Sequence, residues 1–303
     1  MTDAVIVAGT ANPRLARDVA GQVGLALADA TIERHPDGEI RVVLGESVRR
    51  RTVVIVQPTS PPVDQHLVEL LALVDAVRRA AAARIIAIVP YFGYARSDRR
   101  RGRRGPIMAS VVARLLETVG VDHLIGIDLH SPQIEGYFAC PVDALSATPV
   151  LCSLLAGRLD PMTVVVSPDL GRVAMAGEVA DTLGLDSAVL QKRREDGLAT
   201  RVVGVMGDVR DRPCVIVDDI LATGGTIVEA IEALRLAGAT PPTHVAVVHA
   251  LLLDDAADRL AAAGVHEIVA TDTVCRPDVE ALELRLGTVA PLIGSALTRL
   301  LEP

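Results

Sequence analysis

Two adjacent carboxylates, Asp218 and Asp219, close an apolar run in CVIVDDILATGGTIVEA (214–230), and a Thr-Gly-Gly-Thr turn then opens an amphipathic stretch. Turn glycines let backbone N–H groups come close to a phosphate, and the start of a helix adds a field that favours an anion. Ala222, Thr223, Gly224, Gly225 and Thr226 therefore read as a phosphate cradle, with the threonine hydroxyls as further donors. Asp218 and Asp219 cannot hold a phosphate, because like charges repel, but they can accept from sugar hydroxyls or bind a metal. A sugar phosphate is the economical ligand. A strand, a turn and a helix with a threonine cap would explain TGGT alone, but not the carboxylate pair beside it. Neither GxxxxGKS, GxxxxGKT nor GxGxxG occurs, so the usual nucleotide loops lack their motifs.

Other residues stand out by type. Among 30 basic residues Lys192 is the single lysine, so arginine serves wherever charge alone matters and this position reads as one that needs an ammonium. The net charge of −8 argues against general nucleic-acid binding. It is reversed locally: Arg96, Arg99, Arg100, Arg101, Arg103 and Arg104 are opposed only by Asp98, which suits a small polyphosphate held at one place. The five aromatics fall in two groups, Tyr91, Phe92 and Tyr94, then Tyr137 and Phe138. Core packing would scatter them, so both segments are expected to be ligand or subunit surfaces.

The elements that must hold these residues alternate. Short β-branched runs at 4–9, 52–57, 83–90 and 123–130 read as strands, and 13–28, 64–82 and 107–119 between them as helices. The pattern resumes with strands at 163–169, 201–206, 214–219, 244–250 and 267–272, helices near 171–184, 225–237 and 255–264, and a last helix at 289–301. This predicts two α/β domains, 1–145 and 146–285, followed by a C-terminal helix in 286–303 that has no strand after it and docks on the N-terminal domain. Each domain is expected to be a mainly parallel sheet flanked by helices, with functional residues just beyond the strands' carboxyl ends. Cys140, Cys152, Cys214 and Cys275 show no CxxC spacing and read as small core residues rather than disulfides or zinc ligands. No apolar run is long enough for a membrane span and no signal peptide is evident, so the chain reads as cytosolic.

The segment 214–230 resembles the phosphoribosyl-diphosphate loop of type I phosphoribosyltransferases and ribose-phosphate diphosphokinases. HPDGEI (35–40), PYFGYARSDRR (90–100), DLHSPQIEGYF (128–138), PVDAL (141–145), SPDLGRVAMA (167–176), QKRRE (191–195) and VAPLIGSAL (289–297) resemble the diphosphokinase family in order and spacing, over nearly the whole chain. The resemblance implies two Rossmann-like domains of type I phosphoribosyltransferase architecture. The implied activity is transfer of the β,γ-diphosphoryl group of Mg-ATP to the 1-hydroxyl of ribose 5-phosphate, giving phosphoribosyl diphosphate and AMP.

Residue by residue, the same resemblance assigns His35, Asp37, Gly38, Glu39, Arg96 and Ser97 to ATP, and His130 and Asp169 to Mg²⁺. It makes Lys192 and Arg194 the catalytic basic pair. It assigns ribose 5-phosphate to Arg194, Asp218, Asp219, Ala222, Thr223, Gly224, Gly225 and Thr226. The implied partners are those two small molecules and further copies of the chain, with neither nucleic acid nor membrane. The family pattern commonly has phenylalanine at position 35, glutamine at 97 and an acidic or hydroxyl residue at 222, so His35 and Ser97 bear on the choice of nucleotide. Three alternatives remain at this stage: a phosphoribosyltransferase that consumes phosphoribosyl diphosphate, a non-catalytic member that regulates an active enzyme and, weakest, a nucleic-acid-binding role resting on Arg96 to Arg104.

Overall fold

The computed structural model describes the chain apart from residues 1–2, 101, 103, 196–198, 276–278 and 303, and apart from the side chains of 192–195 and 199–203. Two compact units result. The first comprises 1–146, 273–275 and 288–303; the second comprises 147–272 and the segment ending at Gly287.

In the first unit the chain runs through β1 (Ala4–Ala8), α1 (Pro13–Val23), β2 (Ala30–Arg34), β3 (Ile40–Leu44), β4 (Thr52–Val56), α2 (Val63–Arg79), β5 (Arg84–Val89), α3 (Met108–Val119), β6 (His123–Ile127) and β7 (Val142–Leu145). A five-stranded parallel sheet has the order β1-β4-β5-β6-β7, and β2 pairs with β3 as a separate antiparallel hairpin. The inner strands are buried on both faces, which is why VVIV and IIAIV carry no polar alternation.

The second unit runs through α4 (Thr148–Leu155), β8 (Val164–Ser167), α5 (Val173–Leu183), β9 (Asp186–Glu195), β10 (Ala199–Met206), β11 (Cys214–Leu221), α6 (Gly225–Leu236), β12 (Thr243–Ala250), α7 (Ala256–Ala262), β13 (Val265–Thr271) and β14 (Glu283–Gly287). Its seven-stranded sheet has the order β10-β9-β8-β11-β12-β13-β14, parallel except that β10 runs against β9. Beyond β14, α8 (Ala290–Leu301) belongs to the first unit and lies against α1. Gly294 permits this approach: a Cβ there would stand 2.9 Å from the Cβ of Gln22.

The expected alternation holds, with departures that have local causes. The helix expected over 13–28 stops at Val23, because Gly24 turns left-handed (φ +65°) and donates its N–H to Ala20. The hairpin β2–β3 and the edge strands β7 and β14 carry half-exposed, polar-interrupted sequences, and the expected pattern had no strand for any of them. Strand β9 was also hidden, since it ends in the charged run QKRRE, so Lys192 and Arg194 lie within a strand that the expected pattern lacked.

Two expectations about residues are refined. Phe92 is buried and its ring meets Phe138 edge-on at 6.0 Å between centroids, so the aromatics cluster in part because β5 and β6 are neighbours and their trailing loops share one core, while Tyr91 and Tyr94 also line a cavity described below. The cysteines are not uniformly internal: Cys152 and Cys214 are buried, Cys140 is half-buried and Cys275 is exposed.

Candidate active site

In the second unit β11 lies between β8 and β12, and its carboxyl end carries Asp218 and Asp219, both buried. Asp218 Oδ1 accepts from the backbone N–H of Asp219 at 2.8 Å. Burial, and then the charge of Asp219, push the Asp218 carboxyl well above its ordinary pKa. The guanidinium of Arg172 answers both charges, with Nη2 3.1 Å from Asp219 Oδ2 and Nε 3.7 Å from Asp218 Oδ1.

The turn after β11 reaches α6 through Gly224, whose φ of +77° is a conformation that glycine adopts without strain. A Cβ on Gly224 would stand 3.3 Å from the Leu260 side chain. No side chain caps this helix start, and Thr223 and Thr226 are exposed beside it. Asp218, Asp219 and Ala222 to Thr226 thus form one continuous strand, turn and helix.

Asp169 follows β8. Its Oδ1 accepts from Gly171 N at 2.7 Å, its backbone carbonyl accepts from Ser167 Oγ at 2.7 Å, and the 3-10 turn Leu170–Arg172 carries Arg172 towards β11. Arg172 was not among the expected site residues, although it stands three positions after Asp169 in SPDLGR. The backbone of Lys192 and Arg194 pairs with Val202 and Thr200 across β9 and β10; their side chains lie outside the described residues.

In the first unit His35, Asp37, Gly38 and Glu39 form the exposed tip of the β2–β3 hairpin. The tip is closed by His35 N to Glu39 O and Gly38 N to His35 O, both 2.8 Å, and by Glu39 N to Asp37 Oδ1 at 3.0 Å. Arg34 ties this tip to α2, donating to Gly38 O and to Gln65 O and lying 3.8 Å from the buried Glu69 carboxylate. Glu69 in turn accepts from Thr10 N and from Gln57 Nε2, which anchors the arrangement at the carboxyl ends of β1 and β4.

Arg96 and Ser97 line a cavity of about 660 Å³ together with Asp64, Gln65, Tyr91 and Tyr94. The Ser97 hydroxyl accepts from Met108 N at 3.4 Å and so also helps to start α3. The buried Asp98 links this loop to the one after β6, accepting from Gln133 Nε2 at 2.6 Å while its carbonyl accepts from the Tyr137 hydroxyl. Burial pushes the Asp98 carboxyl up, but Ser131, Gln133, His130 and Arg99 together outweigh burial and hold it below its ordinary pKa. His130 stands half-buried in that second loop.

The described geometry defines a class: an α/β chain whose second unit holds a buried acidic pair beside a glycine turn at the carboxyl edge of a mainly parallel sheet, the arrangement of a sugar-phosphate site. Comparison with known proteins narrows the class. Residues 4–120 match the model of the N-terminal domain of ribose phosphate pyrophosphokinase, and residues 157–280 match the phosphoribosyl transferase domain. The ribose-phosphate pyrophosphokinase of Haemophilus ducreyi is 43% identical over 99% of this chain and 96% of its own length, and that of Caldanaerobacter subterraneus is 40% identical over 98% and 94%. The crystal structure of phosphoribosylpyrophosphate synthetase from Mycobacterium smegmatis superposes with a TM-score of 0.89 at 38% identity, covering 99% of both chains. The chain belongs to the ribose-phosphate pyrophosphokinase family.

Proposed function

We propose that the chain transfers the β,γ-diphosphoryl group of Mg-ATP to the 1-hydroxyl of ribose 5-phosphate. The observation that carries this reading is the buried pair Asp218 and Asp219 leading directly into the left-handed turn at Gly224. In this reading Asp218 and Asp219 accept from ribose hydroxyls, while the backbone of Ala222 to Thr226 and the two threonine hydroxyls receive the 5-phosphate. His35, Asp37, Gly38, Glu39, Arg96 and Ser97 bind ATP. Lys192 and Arg194 meet the charge that builds on the bridging oxygens, and Arg194 also contacts ribose 5-phosphate.

The 1-hydroxyl oxygen forms a bond to the β-phosphorus as the bond from that phosphorus to the α,β-bridging oxygen breaks. AMP departs and the hydroxyl proton is released. Such a transfer asks the protein mainly to align two polyanions and to neutralise charge.

Asp169 and His130 are the residues assigned to magnesium. A single carboxylate suits this ion, which prefers hard oxygen donors and takes the rest of its shell from water and phosphate. The cap to Gly171 uses Asp169 Oδ1, which is compatible with a role for the rest of the carboxylate. When bound, the ion would screen the phosphate charges.

The test is to incubate the protein with Mg²⁺, ATP and ribose 5-phosphate and to identify the nucleotide formed. AMP appearing in step with phosphoribosyl diphosphate is expected. ADP would indicate ordinary kinase chemistry, and binding without turnover would indicate a regulatory member. The same reading expects a cytosolic enzyme assembled from several copies, which light scattering and cell fractionation check. Among the described residues no helix is long and apolar enough to cross a membrane.

A further inference from the structure

Consecutive residues of a strand normally project from opposite faces, so two neighbouring carboxylates are rarely met by one cation. Here a single guanidinium meets both. It reaches them from the 3-10 turn after β8, the strand that pairs with β11 on the side opposite β12. Arg172 places Nη2 3.1 Å from Asp219 and Nε 3.7 Å from Asp218, with 16% of its side chain exposed against 5% and 13% for its partners. A guanidinium can do this because its donors are spread along a rigid fork, whereas an ammonium is a point charge.

We propose that Arg172 is a positioning residue for ribose 5-phosphate: it supplies the countercharge of Asp218 and Asp219 and fixes their orientation, so that both remain acceptors for sugar hydroxyls. The proposal rests on the reading of that pair as the sugar site. Two adjacent buried carboxylates without a cation would repel each other and rotate apart, which loses the arrangement that sugar hydroxyls meet. Arg172 therefore acts through the aspartates and is not itself a substrate contact.

The opposite role makes the opposite prediction. Were Arg172 a placeholder that ribose 5-phosphate must displace, its removal would tighten sugar binding.

The experiment compares KM for ribose 5-phosphate and for ATP in the parent, Arg172→Gln, Arg172→Lys, Asp218→Asn and the double variant Arg172→Gln/Asp218→Asn. Arg172→Gln is expected to raise the sugar KM about tenfold or more, the scale of losing a hydrogen bond to a charged group, with little change in the ATP KM. Arg172→Lys should recover part of the loss. The double variant should be less impaired than the product of the single effects, because both substitutions disable one unit. It also leaves one buried carboxylate rather than two without the guanidinium, so it should be the more stable of the two Arg172→Gln variants, and a fraction of misfolded enzyme lowers kcat without changing KM.

An unchanged or lower sugar KM in Arg172→Gln, or effects that multiply fully in the double variant, overturns the proposal. If Asp218→Asn itself leaves the sugar KM unchanged, the reading of the pair as the sugar site fails, and the proposal fails with it. A raised KM in Asp218→Asn alone leaves that reading standing while Arg172 is excluded.

Discussion

Lys192 and Arg194 follow each other at a spacing of two in β9, in a chain that otherwise writes its positive charge as arginine. A compact ammonium can meet one bridging oxygen, while a guanidinium is broader and suits paired contacts. Lys192→Arg is therefore expected to fold normally and to lose about 10²-fold or more in kcat with smaller changes in either KM. A near-parental kcat would show that charge alone suffices.

Asp218 offers a second test, read in stability. Its folded pKa is raised, so its favourable contribution is complete below the pKa of the unfolded chain and is lost as pH rises through the folded value. Asp218→Asn should then raise the melting temperature of the unliganded protein at neutral and higher pH, and the gain should shrink as pH falls towards the ordinary carboxylate range. A gain independent of pH would place the effect in packing. The aspartates were legible in the sequence because a doublet at the end of an apolar run is a local pattern. Arg172 was not, because its role depends on β8 and β11 being neighbours, and residues 173–213 separate SPDLGR from CVIVDD in the sequence.

The strand, turn and helix of β11 and α6 form the element that the sequence described most fully. Its pattern of apolar run, glycine turn and helical period is local from end to end. The structure adds the reason Gly224 must be glycine, since it combines a left-handed backbone with the Leu260 side chain close by. Gly224→Val should raise the KM for ribose 5-phosphate far more than that for ATP, because β-branched residues are strained at positive φ and the turn would have to move. Equal rises for both substrates would count against a dedicated sugar cradle.

The hairpin β2–β3 was harder to read. HPDGE was visible as a motif, but the flanking strands alternate between half-buried and exposed positions without a strong apolar face. What fixes the tip is Arg34, through contacts to Gly38 and Gln65 that are 4 and 31 positions away. Edge strands β7 and β14 were missed for the same reason: with only one hydrogen-bonded neighbour each, they need little of the continuous apolar sequence that marks an inner strand.

At the scale of the molecule, the alternation of strands and helices was enough to indicate two α/β sheets, and a last helix with no strand after it was enough to suggest a return to the first. Segment 288–303 returns to the first unit, where α8 buries Ile293, Gly294, Ala296 and Leu297. Gly294→Leu is expected to force α8 away from α1 and to cost about 1–3 kcal/mol, the usual range for overpacking. Differential hydrogen exchange should show the loss in α1 and α8. Uniform loss of protection over both units, or none, would mean that this contact does not govern the first unit alone.

The return of the chain also sets an order of events on the ribosome. The first unit is begun before the second and finished after it, because α8 is made last of its elements. At about 5–20 residues per second, α1 emerges some tens of seconds before the helix that covers it. During that interval the nascent first unit exposes the surface that α8 later covers, while the second unit has all of its strands available and can fold.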